Sequence, residues 1–543
     1  MPATPRPFLA LAAAALVVAC PLRAQRTLPD LRAEATASSE VERYLRVLQV
    51  AGQAPLYPWS IRAFSPAEID RLVPDSAAHP WAARLPATAD SSAGGPQLRM
   101  LRPGLQAIYN TAFPQGTNDG AIWAGRGGTI SATAGFALRW GVLSVRVEPQ
   151  VIWAQNRSFD LMENGQGDSL RFADPENPRT IDLPQRFGDG SFTRVDPGQS
   201  TARIDVKGFA AGVSTANQQW GPSADLPLLL GTNAGGFPHA FLGTSNPWNV
   251  GIGRVHGRLV WGSESQSDFS SVPADSGRRF MTGILAVFMP RGLNGLEIGG
   301  ARFFHTTFPD GGLTFDDFLE PFNAIFKQDV PETGEGPDDR SSPDNQLASV
   351  FVRWALPGPG FEAWAEYARE DHSWDLLDLL LEPDHFAAYS LGARKVWRRG
   401  TSLVSVRGEL LESQPSNLLT VRNQGRFYRH AFTRQGHTLN GQILGSPAAY
   451  GGAGSVFMVE KYTPRGRWSV DWTRTRVRGL RATPTSAPGT AGVDVVHSLG
   501  AQGVFFTGRA DVTAGLRGSY ELRRNGGDDT FNLGATLGVR LGL

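Results

Sequence analysis

The chain has 543 residues, of which 41% are hydrophobic and 19% charged, with 63 Gly, 38 Pro and a formal net charge of +1. So balanced a charge offers no bulk field to nucleic acid, and so modest a hydrophobic share excludes a bundle of membrane helices. The length exceeds one ordinary soluble domain, and the many glycines and prolines fit a chain rich in turns.

Residues 1–24 read as a signal peptide. Arg6 supplies the basic start, Phe8 to Ala19 the apolar stretch, and Leu22-Arg23-Ala24 before Gln25 the cleavage site. Val17-Val18-Ala19-Cys20 also resembles a lipoprotein box, the alternative that would place a lipid on Cys20. Cys20 is the only cysteine, so cleavage after Ala24 leaves no thiol, no disulfide and no cysteine metal site. No later stretch reaches the ~20 apolar residues of a membrane helix.

Residues 25–95 predict a small helical module. Ser39 with Glu42 is a capping box. Val41, Tyr44, Leu45 and Leu48 share one helical face, and Gly52 ends the run. Ser65-Pro66-Ala67-Glu68 starts a second helix with a cap residue, Pro at the first position and Glu at the third. Ile69, Leu72 and Val73 form its apolar face, while Trp59, Phe64 and Trp81 fill the space between helices. So small a core needs something larger to pack against, and a plug or lid is the expected role.

From residue 96 to 543 the hydrophobic period is two. Phe531, Leu533, Ala535, Leu537, Val539, Leu541 and Leu543 alternate with small or polar residues, as lipid-facing positions alternate with lumen-facing ones. Val512, Ala514, Leu516, Tyr520 and Leu522 do the same, and Asn525-Gly526-Gly527-Asp528 makes the turn between the two strands. The pattern recurs over 130–139, 143–151 and 468–473. Trp and Tyr near strand ends suit two interfacial girdles. Backbone groups in lipid must all be paired, so the sheet closes. The fold class is therefore mainly β, a large antiparallel transmembrane barrel of roughly 16–18 strands behind a helical bundle. The final residue, Leu543, departs from the aromatic ending usual in such barrels.

Several constellations carry chemistry. Arg254, His256 and Arg258 lie on one face of a strand and point three basic groups into the lumen, either as an anion contact or as part of an interior ion-pair network. Glu366, Arg369, Asp371, His372 and His385 gather around a loop with Trp374. They make either a sugar site, with polar groups for hydroxyls and an aromatic face for the ring, or a folded loop whose polar groups satisfy one another. Tyr428, His430 and His437 form a similar set. The Gly-, Asn- and Pro-rich stretch from Trp220 to Trp248 is poorly strand-like and folds inward as a constriction or plug. No metalloprotease, nucleophile-elbow or phosphate-loop motif occurs. Adjacent acids such as Asp316-Asp317 and Asp338-Asp339 lack the separation that glycoside cleavage needs. The chain is expected to be no enzyme and to need no cofactor or metal.

Segments in order along the chain resemble the capsule assembly Wzi family. They run from Val41-Glu42-Arg43-Tyr44-Leu45 and Pro58-Trp59, through Gln219-Trp220-Gly221-Pro222, Leu228-Leu229-Leu230-Gly231-Thr232-Asn233 and Phe237-Pro238, to Asn246-Pro247. Leu296-Glu297-Ile298-Gly299, Arg302-Phe303-Phe304 and Asp344-Asn345-Gln346-Leu347 follow. Glu366 to His372, Tyr389-Ser390-Leu391-Gly392, Tyr428-Arg429-His430, Gly436-His437-Thr438 and Leu444-Gly445 complete the series. The Pro/Gly/Asp-rich stretch around Glu332 to Asp344 is an insertion. The resemblance implies an outer-membrane barrel, exported and inserted by the barrel-insertion machinery, with periplasmic N-terminal helices. It further implies a monomer in outer-membrane lipid with a lectin-like hold on capsular or other surface polysaccharide. Trp220, Glu366, Arg369, His372, Trp374, His385, Tyr428, His430 and His437 are the candidate contacts. The alternative is a porin-like or polysaccharide-exit channel with a basic lumen. No basic stripe marks a nucleic-acid partner.

Overall fold

The computed structural model describes residues 30–86, 95–308, 311–322, 345–370, 375–415, 425–476 and 495–542. The expected signal peptide with Cys20, the Asp338-Asp339 pair, His372, Trp374 and Leu543 lie outside the described residues.

The chain forms a closed antiparallel barrel of 18 strands, the upper end of the expected range. The strands are β1 (Gln97–Asn110), β2 (Gly127–Trp140), β3 (Leu143–Val147 with Gln150–Ala154), β4 (Phe192–Asp196 with Thr201–Val206), β5 (Phe209–Ser214) and β6 (His239–Thr244 with Trp248–Asn249). β7 (Gly253–Glu264), β8 (Arg279–Pro290), β9 (Leu296–Thr307), β10 (Asn345–Leu356), β11 (Phe361–Glu370) and β12 (Ala387–Arg399) continue the wall. β13 (Ser402–Glu412), β14 (Ala453–Thr463), β15 (Gly466–Arg476), β16 (Val495–Phe506), β17 (Ala510–Leu522) and β18 (Thr530–Leu541) complete it. β18 pairs back onto β1 from Gly104 opposite Arg540 to Asn110 opposite Gly534, so no edge is left unpaired. Pro149 has no N–H to give the ladder, and β3 breaks there.

The alternation of side chains sorts the wall. Leu105, Val350, Leu391, Leu410, Leu516 and Leu537 are exposed on the outside, while Arg353, Glu362, Arg394, Arg407, Glu409 and Arg467 are buried inside. Exposed Trp140, Trp354, Trp397 and Trp468 ring one end of this apolar band, and Tyr109, Tyr389 and Tyr520 mark the other. These are the two girdles that amphipathic aromatic rings form at membrane interfaces. Among the described residues no helix is long and apolar enough to cross a membrane.

The two ends of the barrel differ. At the tryptophan end adjacent strands are joined by two to five residues, as at 141–142, 291–295 and 400–401. At the tyrosine end the connections run from seven residues, 523–529, to forty, 413–452.

The N-terminal module sits inside the short-turn mouth. Helix α1 (Glu40–Val50) begins at Ser39, whose hydroxyl accepts from the Glu42 N–H; the Glu42 carboxylate reaches Ser38 N instead of closing the box on Ser39. Helix α2 (Pro66–Leu72) has the full reciprocal box between Ser65 and Glu68. Gly52 takes φ +71° just beyond α1, where a side chain would be strained. Val41, Tyr44, Leu45 and Leu48 are all buried, as the period predicts, but so are Arg46 and Gln49 on the opposite face. The surrounding wall explains this. Arg46 meets Glu362 at 3.0 Å, and Gln49 Oε1 accepts from Arg353 at 2.8 Å. Trp81 stacks on Tyr44 with centroids 4.0 Å apart and donates from Nε1 to the Thr463 carbonyl in a short turn.

Above the module a second body fills the interior, made by residues 215–238 and 425–452. Leu226, Leu228, Leu229, Leu230, Phe237, Tyr428, Ile443 and Leu444 pack against inward Met281, Leu285, Phe303, Leu347, Phe351 and Leu411 in one buried cluster. Ile61–Arg62 pairs with Gln219–Trp220 as a two-residue ladder that joins the module to this plug. The inward fold expected of the stretch Trp220 to Trp248 therefore holds as far as Phe237. Beyond it, His239–Thr244 and Trp248–Asn249 belong to the wall, because Ala240 and Leu242 supply one more outward alternation.

Two loop segments lie outside the barrel. Trp261, on the outer face of β7, donates to the Phe318 carbonyl in the short helix Phe315–Leu319, and Tyr367, on the outer face of β11, donates to the Pro383 carbonyl beyond the helix Leu376–Leu381. Leu376, Leu377, Leu380 and Leu381 are exposed there.

Candidate functional site

The basic face of β7 does point inward, and the interior answers it. His256 Nε2 lies 3.2 Å from Glu68, and Arg258 donates to Gln218 Oε1 at 2.7 Å. Glu68 thus serves three purposes: it caps α2, accepts the Tyr57 hydroxyl at 2.9 Å and meets His256. Burial works against its charged form, but the His256 bond and the charges of His256, Arg203 and Arg258 outweigh burial and hold the carboxyl below its usual range. Arg254, one step nearer the short turns, is exposed at the mouth.

The second constellation is divided by the pleat. Glu366 and Glu370 face inward, while Arg369 is on the outer side of β11 with Tyr367. Glu366 is buried against Gly221, where a Cβ would come within 2.6 Å of its carboxylate. Glu370 accepts from Asn345 Nδ2 and from Tyr428 N. His385 belongs to the outer loop, its ring against Phe386. Trp220 is wholly buried, edge-on to Phe303. Glu366, Arg369, His385 and Trp220 therefore share no common surface.

Tyr428 and His437 do come together, in the plug. The Tyr428 hydroxyl donates to the Leu228 carbonyl, and His437 Nε2 donates to the Leu229 carbonyl at 2.5 Å. Burial holds the His437 imidazole well below its usual range, so it is neutral, and pushes the Tyr428 phenol well up. A neutral His437 that donates from Nε2 accepts at Nδ1, here from His305 Nε2 at 2.8 Å. His305 Nδ1 in turn lies 2.6 Å from Glu264, beside Arg279. The chain from Glu264 to Leu229 ties β7, β9 and both plug segments together. His430 does something different: its Nδ1 accepts the N–H groups of Phe432 and Thr433 and folds the turn that carries Phe432 to the surface.

That turn lies at the long-loop end. Phe432 is 65% exposed. The connection 155–191 folds over the plug beside it. Asp174 precedes Pro175, and its carboxylate accepts the N–H groups of Glu176 and Asn177, a turn set by an Asx side chain. Arg429 donates to Asn177 at 2.8 Å, Arg426 pairs with Glu176, and Asn177 donates to the Tyr450 hydroxyl at 2.8 Å. Glu176, Asn177, Arg426 and Arg429 thus form one rim of guanidinium, amide and carboxylate groups, and exposed Phe432 and Arg434 stand on the turn that follows in the chain. Sequence reasoning chose Tyr428 and His430 and missed this rim beside them. The available signal was an exposed Phe between arginines, on a stretch without strand alternation.

Asp316 and Asp317 open the outer helix, and Asp317 accepts from Thr314 N and Oγ1 as its cap, so that pair is structural. Among the described residues no three His, Cys, Asp or Glu side chains gather to hold a metal ion.

A closed 18-stranded barrel with aromatic girdles and a filled interior defines the class: a barrel of outer-membrane type. No family model and no curated protein matches the sequence. Among solved structures, the chain is similar to Wzi of Escherichia coli, an outer-membrane protein involved in group 1 capsule assembly and described as a carbohydrate-binding β-barrel. The TM-score is 0.60 at 13% identity, over 94% of this chain and 99% of that one. The likeness gives this chain the Wzi fold. A BenF-like porin from Pseudomonas fluorescens Pf-5 aligns at a TM-score of 0.40 with 10% identity, over 82% of this chain and 99% of that one. Acinetobacter baumannii OccAB2 aligns at 0.39 with 8% identity, over 81% and 96%.

Proposed function

We propose that this protein is a non-enzymatic outer-membrane binding protein that holds capsular or other surface polysaccharide on the cell. The observation that carries the reading is the filled interior. A polymer finds no way through packed Leu228, Leu229, Phe303 and Tyr428, so its contact surface is the outer rim with the turn of Phe432. The similarity to a barrel described as carbohydrate-binding agrees. Short turns face the periplasm in barrels of this kind, so the module lies on the periplasmic side and the rim faces out. Guanidinium groups suit the carboxylates of acidic sugars, and repeated weak contacts along a polymer add up by multivalency. Against the channel reading, Glu68 and Gln218 engage His256 and Arg258, two of the three basic groups on that face of β7.

The test is a deletion strain in which cell-attached and released polysaccharide are both measured. The expected result is unchanged total polymer with a shift into the medium, reversed by the wild-type gene. Unchanged attachment overturns the proposal. In planar bilayers the purified protein is expected to be electrically silent, and steady single-channel conductance would restore the channel reading.

A further inference from the structure

Among the described residues, two inward arginines stand apart from those that are paired with carboxylates. Arg46, Arg353 and Arg394 share Glu362, Arg407 pairs with Asp225, and Arg467 pairs with Glu40. The exceptions stand side by side at the short-turn mouth. Arg254 opposes Met289 in the register of β7 and β8, and Arg291 N donates to the Ile252 carbonyl one rung further. Alternation therefore turns Arg254, Met289 and Arg291 to the same inward side. Both arginines are exposed, and neither meets a carboxylate among the described residues.

They line a cavity of about 420 Å³ between the 249–254 and 289–297 turns and the Leu56-Tyr57-Pro58 segment of the module. The one carboxylate in its lining, Glu297, is already engaged: it accepts from Trp59 N, Ser60 N and Ser60 Oγ and pairs with Arg353. Gly295 in its lining, at φ +80°, packs so closely on β10 that a Cβ would sit 2.0 Å from the Ala355 carbonyl.

We propose that this cavity is an anion-binding site, taking a carboxylate or phosphate on a group about the size of one sugar. Two guanidinium forks bind such a group through paired charge-assisted hydrogen bonds, and the volume lies within the ~300–1,000 Å³ of ligand pockets. The anion is either a uronic acid of a polymer on this side of the barrel or the headgroup of an anionic phospholipid beside the mouth. The site is distinct from the outer rim, and its test is independent of polysaccharide attachment to cells.

The experiment is calorimetric titration of the full-length protein in non-ionic detergent with sodium glucuronate, with monomeric dihexanoyl phosphatidylglycerol, and with glucose as the neutral control. The expected result is that one of the two anions binds and glucose does not. Arg254→Gln and Arg291→Gln are each expected to weaken that binding about tenfold or more, the loss of a hydrogen bond to a charged group. Glucuronate binding identifies the sugar acid as ligand and phosphatidylglycerol binding the lipid. Asn294→Glu, which adds a carboxylate at the rim, is expected to abolish either one while leaving both arginines in place. The proposal is overturned if neither anion binds the wild type better than glucose, or if the double arginine variant binds as the wild type does.

Discussion

The helical module and the loop plug fill the same barrel, yet they meet the wall differently. The module meets it largely through charge. Arg46 reaches Glu362 on β11, Arg84 reaches Asp511 on β17 and Glu40 reaches Arg467 on β15, with Tyr44 and Trp81 closing on Tyr462. The plug meets it through apolar packing, with leucines 228–230 against Phe303, Phe351 and Leu285, pinned by the His305–His437 pair. The module's pairs are buried too, Arg46 and Glu362 both out of water, and they hold because opposite charges meet there. A body sealed in mid-barrel must be dry or fully paired, since an unsatisfied polar group there costs free energy.

The comparison breaks first at Glu362. This one carboxylate serves Arg46, Arg353 and Arg394, all buried. Glu362→Ala leaves three buried cations short of a partner and is expected to cost about 3–5 kcal/mol, read from the urea midpoint of gel mobility in detergent. A loss below about 1 kcal/mol, the worth of an exposed pair, would mean that aromatic packing alone seats the module. Leu229→Ala tests the other body. Its side chain is fully buried in the plug, and the cavity left behind is expected to cost about 2–5 kcal/mol. It is also expected to loosen the plug, which conductance noise would report while the module stays seated.

How far each body was legible in the sequence follows from the same contrast. The module's helices, the caps at Ser39 and Ser65 and the stop at Gly52 are local signals, readable at a spacing of three or four residues. The wall was equally legible, because a period of two persists through strands such as 530–541. What the sequence could not show is which wall residue a loop residue would meet. Glu366 and Arg369 read as neighbours, but three positions apart on a strand is opposite faces, and the pleat sends one inward and the other out. Tyr428 and His437 suggest ligand groups in the sequence, yet their partners Leu228, Leu229 and His305 are over a hundred positions away. Arg254, His256 and Arg258 share the inward face of β7, and it is Glu68 and Gln218, distant in the chain, that engage His256 and Arg258.

A pH scan separates the bodies further. His79 is buried in the module with Nδ1 2.9 Å from the Tyr44 hydroxyl, and burial lowers its pKa to about 4. The unfolded chain, near 6.5, binds a proton that the folded chain refuses. Stability is therefore expected to fall as pH drops from about 6.5 to about 4, by roughly 3 kcal/mol at the lower end. His79→Asn should flatten that slope; an unchanged slope assigns it to another group. Ser65→Ala, which removes the complete cap of α2, is a smaller perturbation of the same body, expected at about 1 kcal/mol.

The smallest effect on stability is the sharpest test of function. Phe432 is held at the surface by the turn that His430 folds, and its ring is 65% exposed with only the His430 ring beside it at 5.9 Å among the ring contacts of the described residues. Phe432→Ala is therefore expected to leave the urea midpoint within about 0.5 kcal/mol of wild type, as surface substitutions do. If the outer rim holds polymer, the same variant should release polysaccharide into the medium when it replaces the wild-type gene, and Arg434→Ala should do so more strongly for an acidic polymer than for a neutral one. Stability and attachment would then divide between the bodies: Glu362 and Leu229 variants lose both together, while Phe432 loses attachment alone. Full attachment by a Phe432→Ala, Arg434→Ala double variant would remove the rim as the contact surface and leave the outer loops at 375–386 as the next place to look.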